Sequence, residues 1–311
     1  MIHPLEQKVG NTPLIHLPVL SGMVRANIYV KYEAANPFGS SQDRIAMAFI
    51  RREYERGHFR NGGCLVQASA GNTLAAMAHV CSRLGVTLFG VMPRPENTAI
   101  PRLLACLGAK VMLTPAEEGM EGALAKAEYI HKDTWISVYP SQFDDEYAVR
   151  VHHDTTGEEI AAQCAEMGFA PDLFISGVGT GATLAGVSAR LKETWPDMKT
   201  AAVEAAEAPV LSGGKFAPHG LRGISTGKKP AFVSAEQVSH VIPVSLDDAA
   251  RACRRIIFKE GLSCGPTTGA NLYAAVQLAA RPEYQGKNII IMGHDGMERH
   301  IAEPGFAKNL A

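Results

Sequence analysis

"NPFGSSQDR", Asn36 to Arg44, links an expected strand, "NIYVKYE", to an expected helix, "DRIAMAFIRREYER". Turn formers and small hydroxyls crowd the loop, a composition suited to holding a phosphorylated ligand. Its seventh residue is Gln42. A carboxamide has no basic nitrogen near neutral pH and no nucleophilic amine. The stretch thus has the frame of a reactive loop without a reactive atom, and the rest of the chain is best read outward from it.

Beyond this loop, apolar β-branched runs alternate with amphipathic segments. The runs "CLVQAS", "TLFGVMP", "AKVMLTP", "WISVYP", "DLFISGV", "TAAVEAA", "HVIPVS" and "NIIIMGH" predict strands, several of them apolar enough to be buried on both faces. "NTLAAMAHVCSRLG", "IPRLLACLG" and "TTGEEIAAQCAEMG" predict helices ending at Gly85, Gly108 and Gly168. This alternation predicts an α/β fold with mostly parallel sheets, and it directs attention to the loops that follow strands.

The chain has 311 residues, 46% hydrophobic and 20% charged, with a net charge of -1. That balance gives no reason to expect nucleic acid or an anionic membrane as partner. No apolar run is long enough to span a bilayer, and "MIHPLEQKVGNTPL" lacks a signal-peptide core. Six cysteines without CxxC spacing predict reduced, mostly buried thiols in a cytoplasmic protein. "VHHD" (His152, His153, Asp154) is a weak metal motif, because adjacent histidines point in different directions. No metal is expected.

Three further loops follow strands. "SGVGTGATLAG", Ser176 to Gly186, opens a helix. Gly177, Gly179 and Gly181 let its backbone approach an anion, and Thr180 and Thr183 add hydroxyls. The same residues, with Ala182, match a GxGxxA dinucleotide fingerprint. Glu204 lies where a ribose-binding acid would fall, so NAD-dependent oxidoreduction is the rival reading. "ASAGNTLAA", Ala68 to Ala76, reads either as a carboxylate-binding helix start or as a plain N-cap. In "SCGPTTGANLYAA", Ser263 to Ala275, the residues alone favour Thr267 or Thr268 as a cap.

Taken together and in order, these loops resemble the pyridoxal-phosphate enzymes of the tryptophan-synthase-β (type II) fold. Within them the chain is similar to the O-acetylserine sulfhydrylase (cysteine synthase) family, particularly its cysteine synthase B branch. "VGNTPLIHL" is similar to the family opening, and "NPFGSSQDR" matches its N-P-x-G-S-x-K-D-R loop. "SAGNT", "QFDDEYAVRVHHDTTGEEI", "GTGAT", "HGLRG" and "GPTTGA" each fall on a family motif. The resemblance implies two lobes, a smaller mobile one over residues 37–147 and a larger cofactor-binding one over 1–36 plus 148–311. It also implies a homodimer that performs β-replacement on an activated serine, O-acetyl- or O-phosphoserine.

The resemblance further assigns roles. Gly179, Thr180, Gly181, Ala182 and Thr183 would hold the pyridoxal 5'-phosphate phosphate. Asn72 would bond the ring hydroxyl, and Thr267 the ring nitrogen. Ser69, Ala70, Thr73 and Gln142 would receive the amino-acid carboxylate. Arg222 would lie near the substrate side chain, where a guanidinium suits a phosphorylated donor.

Gln42 takes the place of the family's Schiff-base lysine, so the cofactor would be held non-covalently and β-replacement lost or impaired. Lys31, on the preceding strand, does not read as a substitute. Ala70, Leu74, Gln67, Ala182, Asp145 and Ala148 are further departures from the family pattern. Two origins stay open on the sequence: a lysine variant of an active enzyme, or a natural homologue that binds ligand without this chemistry.

Overall fold

Ten strands form two sheets in the computed structural model, which describes residue 4, residues 6–95 and residues 97–310. The strands are β1 (Leu14–His16), β2 (Asn27–Tyr32), β3 (Cys64–Ala68), β4 (Thr87–Pro93), β5 (Lys110–Thr114), β6 (Ser137–Val138), β7 (Leu173–Gly177), β8 (Lys199–Ala205), β9 (His240–Val244) and β10 (Asn288–Gly293). One sheet has the order β1-β2-β10-β7-β8-β9, the other β5-β4-β3-β6. All pairings are parallel except β1 with β2, whose register sets Leu14 opposite Lys31.

Parallel pairing buries a strand on both faces, which is why the near-continuous apolar runs became β3 and β7, each buried along its whole length. Helix ends follow the glycine signals. Helix Asn72–Leu84 stops at Gly85, whose φ of 68° a side chain would resist. "WISVYP" yielded only the two-residue β6, and Trp135 beside it stands almost fully exposed. The "TTGEEI" segment is broken: helix Tyr147–Val151 runs into a π-helical stretch, His152–Gly157, before helix Glu158–Glu166 begins. A 3.6-residue period carries no signal for that register shift.

The two sheets are tied together by buried charge. Arg44 of helix Gln42–Glu55 donates to Glu33 (2.7 and 2.8 Å) and to Glu159 (both contacts 2.7 Å). Lys31, fully buried on β2, donates to the Thr12 carbonyl (2.6 Å), Glu159 (2.8 Å) and Gln163 (3.0 Å). Burial acts to raise Glu159, but Arg44 and Lys31 hold it down to about 2.

Candidate active site

An open cleft of roughly 1060 Å³ lies where the loops after β2, β3, β7 and β10 meet. It is lined by Gln42, Ser69, Ala70, Asn72, Thr73, Gln142, Gly179, Thr180, Gly181, Thr183, Arg222 and Thr267. These are the positions singled out by sequence, with Ala182 the exception. The Ala182 side chain turns away into a hydrophobic cluster with Phe38, Ile45 and Ala148, and its backbone N–H is held by Thr180 Oγ1 (3.2 Å).

The opening loop divides into frame and face. Asp43 accepts from the Phe38 N–H (2.6 Å) and Ser40 Oγ (3.0 Å), while Asn36 Nδ2 donates to Glu33 and to the Ser40 carbonyl. Burial pushes Asp43 up to about 7 against those hydrogen bonds. Gln42, the first residue of its helix, faces the cleft. Its Oε1 lies 3.2 Å from Thr73 Oγ1, which lies 2.9 Å from Gln142 Oε1. One hydroxyl proton serves one of these carbonyls at a time. No lysine lines the cleft among the described residues, and Lys31 is committed to the three partners above.

Three helices begin at the cleft without a side-chain cap: Asn72–Leu84, Ala182–Thr194 and Pro266–Ala279. The cap expected at Thr267 or Thr268 is absent, because Gly265 is the N-cap and Pro266 takes the first turn. Thr267 instead donates to the Arg222 carbonyl (3.1 Å), and Thr268 Oγ1 accepts from the His294 N–H (3.1 Å). Uncapped helix starts leave N–H groups for a ligand to satisfy. The phosphate-type loop is further braced from behind. His152 Nε2 meets Thr183 Oγ1 (3.2 Å), and His153 faces Asp154 and Glu193, so the adjacent histidines do point apart. Burial, with Arg44 nearby, pulls His152 down to about 3.

One wall was not foreseen. The segment after β10 brings His294, Asp295, Arg299, His300 and Glu303 into the lining. Asp295 Oδ2 accepts from Asn72 Nδ2 (2.6 Å) and pairs with His300 Nε2 (2.8 Å). Burial disfavours both charges, yet their attraction wins: Asp295 stays below the usual carboxylate range, and His300 is raised to about 10. Arg299 donates to Asn72 Oδ1 (3.1 Å) and to the Phe38 carbonyl. His294 contacts Ser41 Oγ (3.1 Å) and Ser176 Oγ (3.3 Å), with burial pulling its pKa down. Six ionisable residues within ten positions of a strand end were the available signal, but "NIIIMGH" read only as a strand.

Residues 5–295 match the family described as pyridoxal-phosphate dependent enzymes. The chain belongs to that family. It is 36% identical over 303 residues to a cysteine synthase of Staphylococcus aureus (strain Mu50), covering 97% of this chain and 96% of the relative. It superposes on O-acetylserine sulfhydrylase isoform 3 of Entamoeba histolytica with a TM-score of 0.89 at 29% identity, covering 99% and 92% of the two chains. It is also similar to an O-acetylserine dependent cystathionine β-synthase of Helicobacter pylori (TM-score 0.89, 27% identity, 98% and 99% covered). The fold is therefore the type II pyridoxal-phosphate fold. The dinucleotide alternative has no support from Glu204, which is buried and accepts from the Leu211 N–H (2.9 Å) and from Ser212.

The cleft fits the family's cofactor. Besides the uncapped helix starts, Thr226 Oγ1 and Asp295 Oδ1 lie buried in its wall without a hydrogen-bond partner. Orphaned polar atoms in a family ligand cleft are places where a polar ligand belongs. Among the described residues no group of three or more His, Cys, Asp or Glu could hold a metal ion, and no helix is long and apolar enough to cross a membrane.

Proposed function

We propose that this chain binds pyridoxal phosphate and an activated serine as a cysteine-synthase-like protein, and that Gln42 leaves it without efficient β-replacement. The observation that supports the second half is the cleft lining: Gln42 lies where the motif's resemblance puts a lysine, and among the described residues no lysine lines the cleft.

Bound there, pyridoxal phosphate supplies an electron-withdrawing ring that stabilises negative charge at the amino acid's α-carbon. The chain's own groups would bind and orient. Gly179 to Thr183, with the Thr226 hydroxyl, would hold the phosphate. Thr267 would stand at the ring nitrogen and Asn72 at the ring hydroxyl, with Asn72 itself fixed by Asp295 and Arg299. Ser69, Ala70, Thr73 and Gln142 would receive the substrate carboxylate on N–H and hydroxyl donors. Gln42 can accept a hydrogen bond but cannot take the α-proton. A missing proton transfer is worth about 10²–10⁴-fold in rate.

Gln42→Lys is the test. The unaltered protein should bind pyridoxal phosphate reversibly, releasing it when denatured, and form no cysteine from O-acetylserine and sulfide above background. After borohydride treatment, Gln42→Lys should keep the cofactor through denaturation where the unaltered protein does not, and it should gain turnover. Efficient cysteine formation by the Gln42 protein, with contaminating enzyme removed, would overturn the reading.

A further inference from the structure

Arg222 does not face the cleft as an uncompensated cation. Its carbonyl is tied to Thr267 (3.1 Å), and its Nε lies 3.2 Å from Glu303 Oε1, in a pair whose side chains are 27% and 11% exposed. The same Glu303 oxygen lies 3.4 Å from His300 Nδ1, and His300 Nε2 is bonded to Asp295. Cation and carboxylate alternate along this wall: Arg222, Glu303, His300, Asp295. Two positive and two negative groups sum to zero. Arg299, another cation lining the cleft, is engaged by the Phe38 carbonyl and Asn72.

The wall stands on the six-stranded sheet's side of the cleft, whereas the Ser69 to Thr73 loop follows β3 of the four-stranded sheet. Loop and wall meet where Asn72 Nδ2 donates to Asp295 (2.6 Å), so a ligand anchored by its carboxylate at that loop would have the wall within reach of its side chain. Resting on the activated-serine reading above, we infer that Glu303 is a specificity-determining residue. By neutralising Arg222, its carboxylate fits the cleft to an L-amino acid whose side chain ends in an uncharged ester or amide, not a phosphate.

The physical reason is competition for one guanidinium. A phosphate dianion seated on Arg222 meets the Glu303 carboxylate across the same cation, and like charges so placed reject a ligand effectively. An uncharged carbonyl needs only an N–H donor. A guanidinium has five, and the Glu303 contact through Nε leaves the terminal nitrogens to supply it. The resemblance places Arg222 near the substrate side chain and leaves O-acetyl- and O-phosphoserine both open. Glu303 lies 81 positions away, and only the fold brings it alongside.

Calorimetric titration of the full chain loaded with pyridoxal phosphate tests this, with O-acetyl-L-serine and O-phospho-L-serine as probes. The parent should bind O-acetylserine at least about tenfold more tightly. Glu303→Gln keeps the shape and removes the charge. It should shift the affinity ratio toward O-phosphoserine by about tenfold or more, and adding Arg222→Gln should abolish that shift. Glu303→Ala serves if the glutamine variant misfolds, with circular dichroism reporting the fold of each. A parent that prefers O-phosphoserine overturns the inference, as does a ratio unmoved in a folded Glu303 variant. A parent that binds neither probe overturns the activated-serine reading itself, and the inference with it.

Discussion

Replacing His300 by glutamine should change how stability depends on pH, not only its size. His300 is buried, with Nε2 2.8 Å from Asp295 Oδ2, and its pKa rises from 6.5 to about 10. At about 1.4 kcal/mol per pH unit this corresponds to roughly 5 kcal/mol, matching the roughly 3–5 kcal/mol for breaking a buried ion pair. The folded value is raised, so the contribution is complete below the unfolded value of 6.5 and lost as pH rises through about 10. About half should remain near pH 8 and little near pH 10. Urea unfolding of parent and His300→Gln at about pH 6.5, 8 and 9.5 gives the difference directly. The two proteins should be several kcal/mol apart at the lowest pH and should converge at the highest. A gap that stays constant, or widens with pH, would refute the assignment of a charged His300 paired to Asp295.

Arg44→Met should destabilise the fold by about 3–5 kcal/mol, because it strands the fully buried Glu33 carboxylate. Glu159 in the parent is held down to about 2, so its contribution is present above 4.5 and lost as pH falls through about 2. The gap between parent and Arg44→Met should therefore narrow as pH falls from 4.5 toward 2, as urea unfolding at several pH values would show. Gly181→Ala places a Cβ 3.1 Å from Val233 Cγ2 at a φ of +91°. It should cost about 1–3 kcal/mol and weaken pyridoxal phosphate binding in equilibrium dialysis; unchanged binding would remove the loop from the phosphate site. Lys31→Met, outside the cleft, should lower stability while leaving cofactor affinity within a few-fold, and lost affinity would revive Lys31 as a cofactor ligand.

Where local chemistry and position coincide, the chain was legible. "TLFGVMP" became β4 residue for residue, and the Asn72 to Gly85 helix began and ended at its expected signals. The glycine-rich part of the cleft lining was legible because turn glycines and small hydroxyls sit beside a strand end, whereas Gln142 and Arg222 came only from the family resemblance. Three things were not. The π-helical stretch at His152–Gly157 changes register without changing composition. The Thr267 hydroxyl could have capped its own helix, and only the fold shows it turned to the Arg222 carbonyl. The wall from His294 to Glu303 has charges that resemble an ordinary solvated face until burial and mutual pairing are known.

The order β1-β2-β10-β7-β8-β9 has a consequence for how the molecule comes into being. The strand at the middle of the larger sheet is the last of the ten to be synthesised. β2 waits for its inner neighbour until β10 arrives, and the side-chain bond from Asn27 to Asn288 spans 261 positions. Loop-closure entropy makes such a contact slow to form, and an unpaired strand edge in the interim invites association with other chains. The wall from His294 to Glu303 follows β10 directly, so the same late insertion closes the sheet and completes the cleft. A nascent chain stopped short of β10 has neither, and ligand binding becomes a report that the larger sheet has closed.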